Sequence, residues 1–158
     1  MKLCDLWEQA KSLEIRTSGD IVGGFDVGFD ARIPEETKDA LMRFAYWVED
    51  RYAMPVTLWV DFRYRHYLLD KNRKRVGFLF YWADFATFPV FENEADIPVI
   101  ELAVRTERWS IEEVLTSFIE AISHYYAWLT NRLDEDFTPD PHEVENILRS
   151  YLNSQQDP

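Results

Sequence analysis

The sequence predicts an α+β fold in which a small, mostly antiparallel sheet packs against a long helix in the C-terminal half of the chain. Three observations lead to this prediction. A capping box at residue 110 opens a strongly amphipathic helix. Alternating apolar residues mark a strand from residue 56. A polar turn at residues 70–73 separates that strand from an aromatic one, which is typical of a β-hairpin.

The N-terminal part is predicted to contain a short helix, a glycine-rich stretch and a second helix. Apolar residues at helical spacing indicate the first helix over residues 4–15. Four of the five glycines lie within residues 17–34, which favours a loop or an irregular strand there. Pro34 opens the second helix, with two glutamates in its first turn, and Pro55 ends it.

A hairpin and one further strand are predicted in the middle of the chain. The first strand alternates apolar with mostly polar residues from Val56 to Phe62, and the return strand begins at Arg75. The turn candidate is Asp70–Lys71–Asn72–Arg73. Residues 96–104 predict the third strand, since they form an apolar run with Glu101 inside it.

Two helices are predicted to complete the fold. Ser110 and Glu113 form the capping box of a helix that runs from about 111 to about 131. Its core face is predicted to consist of Ile111, Val114, Leu115, Phe118, Ile122, Tyr125 and Leu129. The last helix covers residues 142–152 and has an apolar stripe of Val144, Ile147, Leu148 and Tyr151.

The length of 158 residues indicates a single domain over 1–158. Residues 1–33 are interpreted as an N-terminal helix and glycine-rich extension, 34–151 as the core, and 152–158 as a mobile tail. No stretch approaches the roughly 20 apolar residues of a membrane span. The start of the chain contains acids at Asp5, Glu8 and Glu14 and lacks the apolar block of a signal peptide, so the protein is expected to be cytoplasmic.

The formal net charge of −12 disfavours binding to nucleic acid or to an anionic membrane. Residues 63–75 depart from this acidic composition, because they contain six basic residues and a single acid, Asp70. These basic residues are Arg63, Arg65, Lys71, Arg73, Lys74 and Arg75. They predict a basic hairpin, which is either a local binding patch or a solvated tip whose cations pair with nearby carboxylates.

The long helix contains a candidate metal site. In SFIEAISHYYAWL, residues 117–129, Glu120 and His124 are four residues apart and therefore share one helix face. Both residue types ligate zinc. The one cysteine, Cys4, excludes a cysteine-based zinc cluster and an intrachain disulfide, and it is expected to pack as a small apolar residue.

The sequence of this helix, SIEEVLTSFIEAISHYY over 110–126, resembles the active helix of minimal zincin-like metallopeptidases of the SprT and phage type. The resemblance includes the capping box, the apolar positions, one histidine and the tyrosines after it. It implies a zincin-like fold with an HExxH helix and a third zinc ligand from a later helix. In this chain Glu120 occupies the first histidine position and Ala121 the general-base position, and His124 alone matches. Ordinary zincin proteolysis is therefore not expected, and no catalytic residue is assigned.

Two interpretations of Glu120 and His124 remain open. If a metal binds, zinc is the candidate, and the third ligand would come from His142, Glu143 or Glu145 in the last helix or from His66 on the hairpin. The favoured interpretation is a solvent-facing i,i+4 pair without metal, on the side opposite the apolar stripe. No cofactor is then required.

Two further groups of side chains are candidates for function. Asp61 and Glu101 lie in separate strands and could face each other, either for acid–base work or as a structural pair with Arg63, Arg65 or Arg105. Asp61 and Asp84 are a second carboxylate pair to consider. The chain also has 25 aromatic residues, some of which should reach the surface. The predicted interaction patch for a protein partner or a second copy consists of Arg105, Arg108, Trp109, Tyr125, Tyr126 and Trp128.

Three functional hypotheses follow from the sequence. The leading one is a non-catalytic, zincin-like protein with a degenerate metallopeptidase site, which acts by protein binding or regulation. The second is a metal-dependent hydrolase with an unusual Glu/His site, in which Glu113 or Glu145 supplies the base. The third is an acidic antitoxin or immunity-type protein that covers a basic partner.

Overall fold

A four-stranded mixed sheet and four helices form the structure, a computed structural model that describes residues 2–10, 23–83 and 97–156. The helices are α1 Leu3–Gln9, α2 Glu35–Arg51, α3 Ile111–Leu129 and α4 Pro141–Gln156. The strands are β1 Phe25–Phe29, β2 Leu58–Arg63, β3 Leu68–Leu69, β4 Arg75–Val76, β5 Phe78–Ala83 and β6 Ile97–Ala103. The α+β class is therefore confirmed.

The strand order β1-β2-β6-β5 corrects the predicted sheet. β1, β2 and β6 run parallel, and β5 alone is antiparallel, paired with β6. The prediction of a mostly antiparallel sheet was wrong, because the alternation of apolar residues identifies a strand but not its partner. The crossover through α2 makes β1 parallel to β2, since a strand that returns through a helix enters the sheet in the same direction.

The predicted hairpin is also different in the structure. β6 lies between β2 and β5, so these two strands do not pair with each other. The turn at 70–73 was located correctly, but it connects a separate two-stranded sheet of β3 and β4. In this turn the Asp70 carbonyl accepts a hydrogen bond from the Arg73 N–H at 2.9 Å, and Arg73 adopts a positive φ of 61°.

The core lies between the sheet and the helices, and α3 is at its centre. Phe118 of α3 contacts Phe25 of β1, Phe62 of β2 and Phe44 of α2, with ring centroids 5.4–5.6 Å apart. α2 and α3 therefore pack on the same face of the sheet. Polar-to-apolar alternation in β2 is as predicted, since Leu58, Val60 and Phe62 are buried.

The chain ends differ from the predicted extension and tail. α1 belongs to the core, because Trp7 is fully buried and stacks on Tyr126 of α3 at 5.2 Å. The glycine-rich stretch ends in a regular strand, β1. α4 continues to Gln156, so most of the predicted tail is helical. No helix in the described ranges has the length and apolar character that crossing a membrane requires. Helix residues 11–15, Gly19, Asp84 and residues 157–158 lie outside the described residues.

Candidate functional site

The N-terminal cap of α3 positions the candidate site. The Ser110 hydroxyl accepts a hydrogen bond from the Glu113 N–H at 3.1 Å, and the Glu113 carboxylate accepts one from the Ser110 N–H at 3.3 Å. This reciprocal pair is the predicted capping box. It fixes the start of the helix, and Glu120 and His124 follow on one face two to four turns later.

The face of α3 that contains Glu120 and His124 is partly covered, which corrects the predicted solvent-facing pair. Both side chains are half-buried, and Ala121 beside them is fully buried. The cover comes from β5 and from the segment after α3, which contribute Phe78, Phe80 and Phe137. α3 is therefore enclosed by the sheet, the other helices and these aromatic rings, and sequence periodicity does not reveal such enclosure.

His124 lies among three phenylalanine rings. Its ring centroid is 5.0 Å from that of Phe137, 5.4 Å from that of Phe78 and 6.1 Å from that of Phe80. Its Nδ1 is 2.8 Å from the carbonyl oxygen of Glu120. A carbonyl only accepts hydrogen bonds, so Nδ1 bears the hydrogen and the neutral ring has its lone pair on Nε2.

Burial shifts the protonation of both side chains towards their neutral forms. It lowers the pKa of His124, against a smaller opposing effect of the hydrogen bond to Glu120. It raises the pKa of the Glu120 carboxyl. No ion pair joins the two side chains in the described part of the chain. The i,i+4 charge pair expected from their spacing is therefore not formed.

The candidate metal ligands are not brought together. His142 lines a cleft of about 440 Å³ that also contains Cys4 and Arg51, whereas His124 lies under β5. The Glu145 carboxylate pairs with Arg149 at 2.8 Å, and the Glu143 carboxylate accepts a hydrogen bond from a backbone N–H of α1. Within residues 2–10, 23–83 and 97–156, no three His, Cys, Asp or Glu side chains form a group that could hold a metal ion.

Asp61 and Glu101 do face each other across β2 and β6, where they are register partners. Arg63 bridges them, with 2.9 Å to Asp61 and 3.0 Å to Glu101. Burial raises the pKa of Asp61, and Arg63 opposes that rise. Burial and the neighbouring Glu101 raise the pKa of Tyr81 to about 12. Since one guanidinium satisfies both carboxylates, the geometry favours the structural pair over acid–base work.

Two of the six residues of the predicted interaction patch are not on the surface. Tyr125 and Tyr126 are fully buried, and their hydroxyls donate to the carbonyls of Val56 and Ala53. Burial raises the pKa of both tyrosines. The patch prediction was therefore wrong for these two residues, because an amphipathic helix enclosed on several sides also buries residues outside its main stripe.

The remaining members of the patch are partly exposed. Trp109 is half-buried and donates its indole N–H to the His66 carbonyl at 2.6 Å. Arg108 lies over the Trp109 ring at 5.4 Å. Arg105 pairs with Glu107 at 2.9 Å and lies over the Tyr64 ring at 4.5 Å. Trp128 is half-buried, with its ring centroid 6.3 Å from that of Trp82 on β5.

Two surface features were missed by the sequence analysis. Among the described strands β5 pairs only with β6, and its Tyr81 and Trp82 are exposed. Arg32 and Arg105 both lie over the ring of Tyr64, at 5.2 and 4.5 Å, where the three parallel strands end. Both features depend on strand order, so knowledge of the pairing would have been needed to find them.

Comparisons of this chain with known protein families, with curated proteins and with solved structures found no match. The geometry of α3 and of the surfaces around it is therefore what distinguishes the functional hypotheses. At α3 the geometry provides a neutral histidine in an aromatic enclosure, a half-buried carboxyl and no general base between them.

Proposed function

We propose that this chain is a non-hydrolytic, protein-binding domain with a zincin-like arrangement, in which α3 stands where the active helix of a metallopeptidase would stand. The observation that supports this most is the fully buried Ala121 in the general-base position. A methyl group takes up no proton, and a base typically contributes about 10² to 10⁴ in rate.

The order of helices and strands is compatible with the zincin-like arrangement that the sequence of α3 resembles. A helix and a small sheet precede the long helix α3, and a further helix follows it. That last helix, α4, packs against α3 through its apolar stripe, which includes Val144 and Ile147. These features support the interpretation of a zincin-like fold that lacks metallopeptidase activity.

The surroundings of His124 also support binding over hydrolysis. Three phenylalanines surround the imidazole, and its pKa is lowered by burial. Its one described polar contact is to a carbonyl of its own helix. A metal-dependent hydrolase would need a third ligand beside Glu120 and His124, and the described residues supply none.

Metal content is the test of this proposal. The tag-free protein, purified without chelator, is compared by elemental analysis with a Glu120→Ala/His124→Ala variant and with a Glu112→Ala control on the same helix. We expect no stoichiometric metal in any of the three, and no hydrolysis of casein after addition of Zn²⁺, Co²⁺ or Mn²⁺. About one metal per chain that is lost only in the double variant would overturn the proposal in favour of a metal-dependent hydrolase.

A further inference from the structure

The basic ribbon, residues 66–76, presents four cations on and beside a hydrogen-bonded turn. Its strands β3 and β4 pair Leu68 with Val76 and Leu69 with Arg75. The Asp70 carboxylate accepts hydrogen bonds from the backbone N–H groups of Asn72 at 2.8 Å and Lys74 at 2.9 Å. The ribbon's one acid is therefore used to build the turn, where it stabilises the backbone.

Among the described residues, no carboxylate pairs with the cations of the ribbon. Lys71, Arg73, Lys74 and Arg75 are all exposed. None of them forms an ion pair in the part of the chain that the structure describes. Arg63, just before the ribbon, differs because it bridges Asp61 and Glu101. The alternative of a tip whose cations pair with nearby carboxylates is therefore not observed for the ribbon itself.

Apolar surface lies beside these cations. Leu69 is 52% exposed and Tyr67 37% exposed, and the Arg75 guanidinium lies over the Tyr67 ring at 4.5 Å. The base of the ribbon is fixed, because Leu68 is buried and Trp109 donates to the His66 carbonyl. A rigid base with an exposed tip that combines cations, an aliphatic and an aromatic side chain is typical of an interaction surface.

We propose that the basic ribbon is the docking site for an acidic segment of a partner protein, in which an apolar side chain stands next to the carboxylates. The carboxylates would pair with Lys71 and Lys74, and the apolar side chain would cover Leu69. This inference rests on the proposed protein-binding function and names the surface and the chemical class of the partner.

The charge of the whole chain favours a short acidic segment over an extended polyanion. The ribbon contributes four positive charges and one negative charge to a net charge of −12, so the rest of the chain has −15. An extended segment of about five residues spans roughly 17 Å, and the five residues 66–70 on one side of the ribbon reach at most the same distance. A nucleic acid or an anionic membrane would extend past the ribbon and meet the acidic remainder.

Selection from random peptides displayed on phage tests the proposal without assuming a partner sequence. The wild-type protein is the target, and a Lys71→Glu/Lys74→Glu variant is the counter-target. A matched control, Arg43→Glu/Arg132→Glu, reverses two exposed cations that lie outside the ribbon and gives the same net charge, −16. Circular dichroism and thermal melts of all three establish that each is folded.

We expect the selected peptides to be rich in Asp and Glu with at least one apolar residue. Their affinity, measured by fluorescence polarisation, should fall roughly tenfold or more in the ribbon variant and little in the control. Leu69→Ser should weaken binding at unchanged net charge. Added salt should weaken it as well.

Three outcomes would overturn the docking site. These are no enrichment, enriched peptides that are not acidic, and affinities that the ribbon variant leaves unchanged. Binding of an oligothymidylate or of vesicles containing phosphatidylserine, lost in the ribbon variant, would assign the ribbon to a different partner class and also overturn it. Metal at Glu120 and His124 is a separate result, so failure of the proposed function is distinguishable from failure of the docking site.

Discussion

Trp7 on the first helix donates its indole N–H to the Ser123 hydroxyl on α3, 3.2 Å away and 116 residues later in the chain. Both side chains are fully buried, and the Ser123 hydroxyl donates in turn to the Ile119 carbonyl at 2.8 Å. This chain of hydrogen bonds connects the N-terminal segment to the helix that contains the candidate site. α1 is therefore part of the packed core around α3.

Replacement of Trp7 should destabilise the protein strongly. Trp7→Ala removes a buried aromatic side chain that stacks on Tyr126, so we expect the free energy of unfolding to fall by about 3–5 kcal/mol. Trp7→Phe keeps most of the packing and leaves Ser123 without its donor, and it should cost less. Urea denaturation measures both, with Tyr46→Ala on the exposed side of α2 as a control expected within about 0.5 kcal/mol of wild type. A Trp7→Ala value similar to the control would show that α1 is not part of the core.

The contact of α3 with Gly77, which lies between β4 and β5, should be sensitive to a single methyl group. A Cβ added at Gly77 would lie 2.8 Å from the Ser117 hydroxyl oxygen. We expect Gly77→Ala to reduce the free energy of unfolding by about 0.5–1.5 kcal/mol, because the Ser117 hydroxyl must move away from the new methyl group. Ser117→Ala in the same chain should recover part of that loss. In the comparison variant Gly28→Ala the new Cβ meets nothing closer than 3.7 Å, so it should cost little, and equal costs at the two glycines would contradict the contact.

Arg63 should stabilise the sheet most when Asp61 and Glu101 are both charged. Arg63→Met leaves two adjacent carboxylates without their shared cation. We expect a loss of about 1 kcal/mol at neutral pH, a small value because the side chains of Arg63 and Asp61 are 45% and 40% exposed. The loss should shrink as the pH falls and the carboxyls take up protons, since their repulsion then disappears. Thermal melts at several pH values measure it, and a loss that grows towards acid pH would exclude this ion pair as the cause.

His124 should make the protein less stable in mild acid. Its pKa in the folded protein is lowered by burial, whereas in the unfolded chain it is near the ordinary 6.5. The unfolded state therefore binds the proton first, and the free energy of unfolding should fall as the pH drops below about 6.5.

A His124→Gln variant should lose this part of the pH dependence between pH 8 and 5.5. The comparison is best repeated with Glu120→Gln present in both proteins, because burial raises the pKa of Glu120 and its contribution has the opposite sign. An NMR titration of the His124 ring is a direct check. A measured pKa above 6.5 would mean that the ring is not enclosed as described.

Local signals were enough to locate α2, α3, α4 and the strand β2. The capping box at Ser110, the proline before α2 and the alternation in β2 each depend on residues close together in sequence, and all three appear in the structure. The residues Glu120 and Ala121, which stand where the resemblance to an HExxH helix would place a histidine and a glutamate, are likewise read from the sequence itself. The hypothesis of a domain without hydrolysis therefore required no coordinates.

Strand order and enclosure could not be inferred in this way. β2 pairs with β6 and not with β5, and the same alternating pattern fits either partner. The burial of Tyr126 depends on Trp7, and the cover over His124 depends on Phe78 and Phe137, which are distant in sequence. Helical spacing gives the angular position of a side chain, but tertiary packing decides how many sides of the helix are covered.

The sequence by itself determined the α+β class, the capped helix α3, the alanine beside Glu120 and the basic residues of the ribbon. The tertiary structure alone decided the mixed sheet, the position of His124 among aromatic rings and the bridging of Asp61 and Glu101 by Arg63. It also decided that, among the described residues, no carboxylate forms an ion pair with the ribbon's cations. The physical reason is the distance along the sequence over which each kind of interaction acts. Backbone propensity and caps act over a few residues, whereas pairing, burial and neutralisation of charge depend on groups that meet only when the chain is folded.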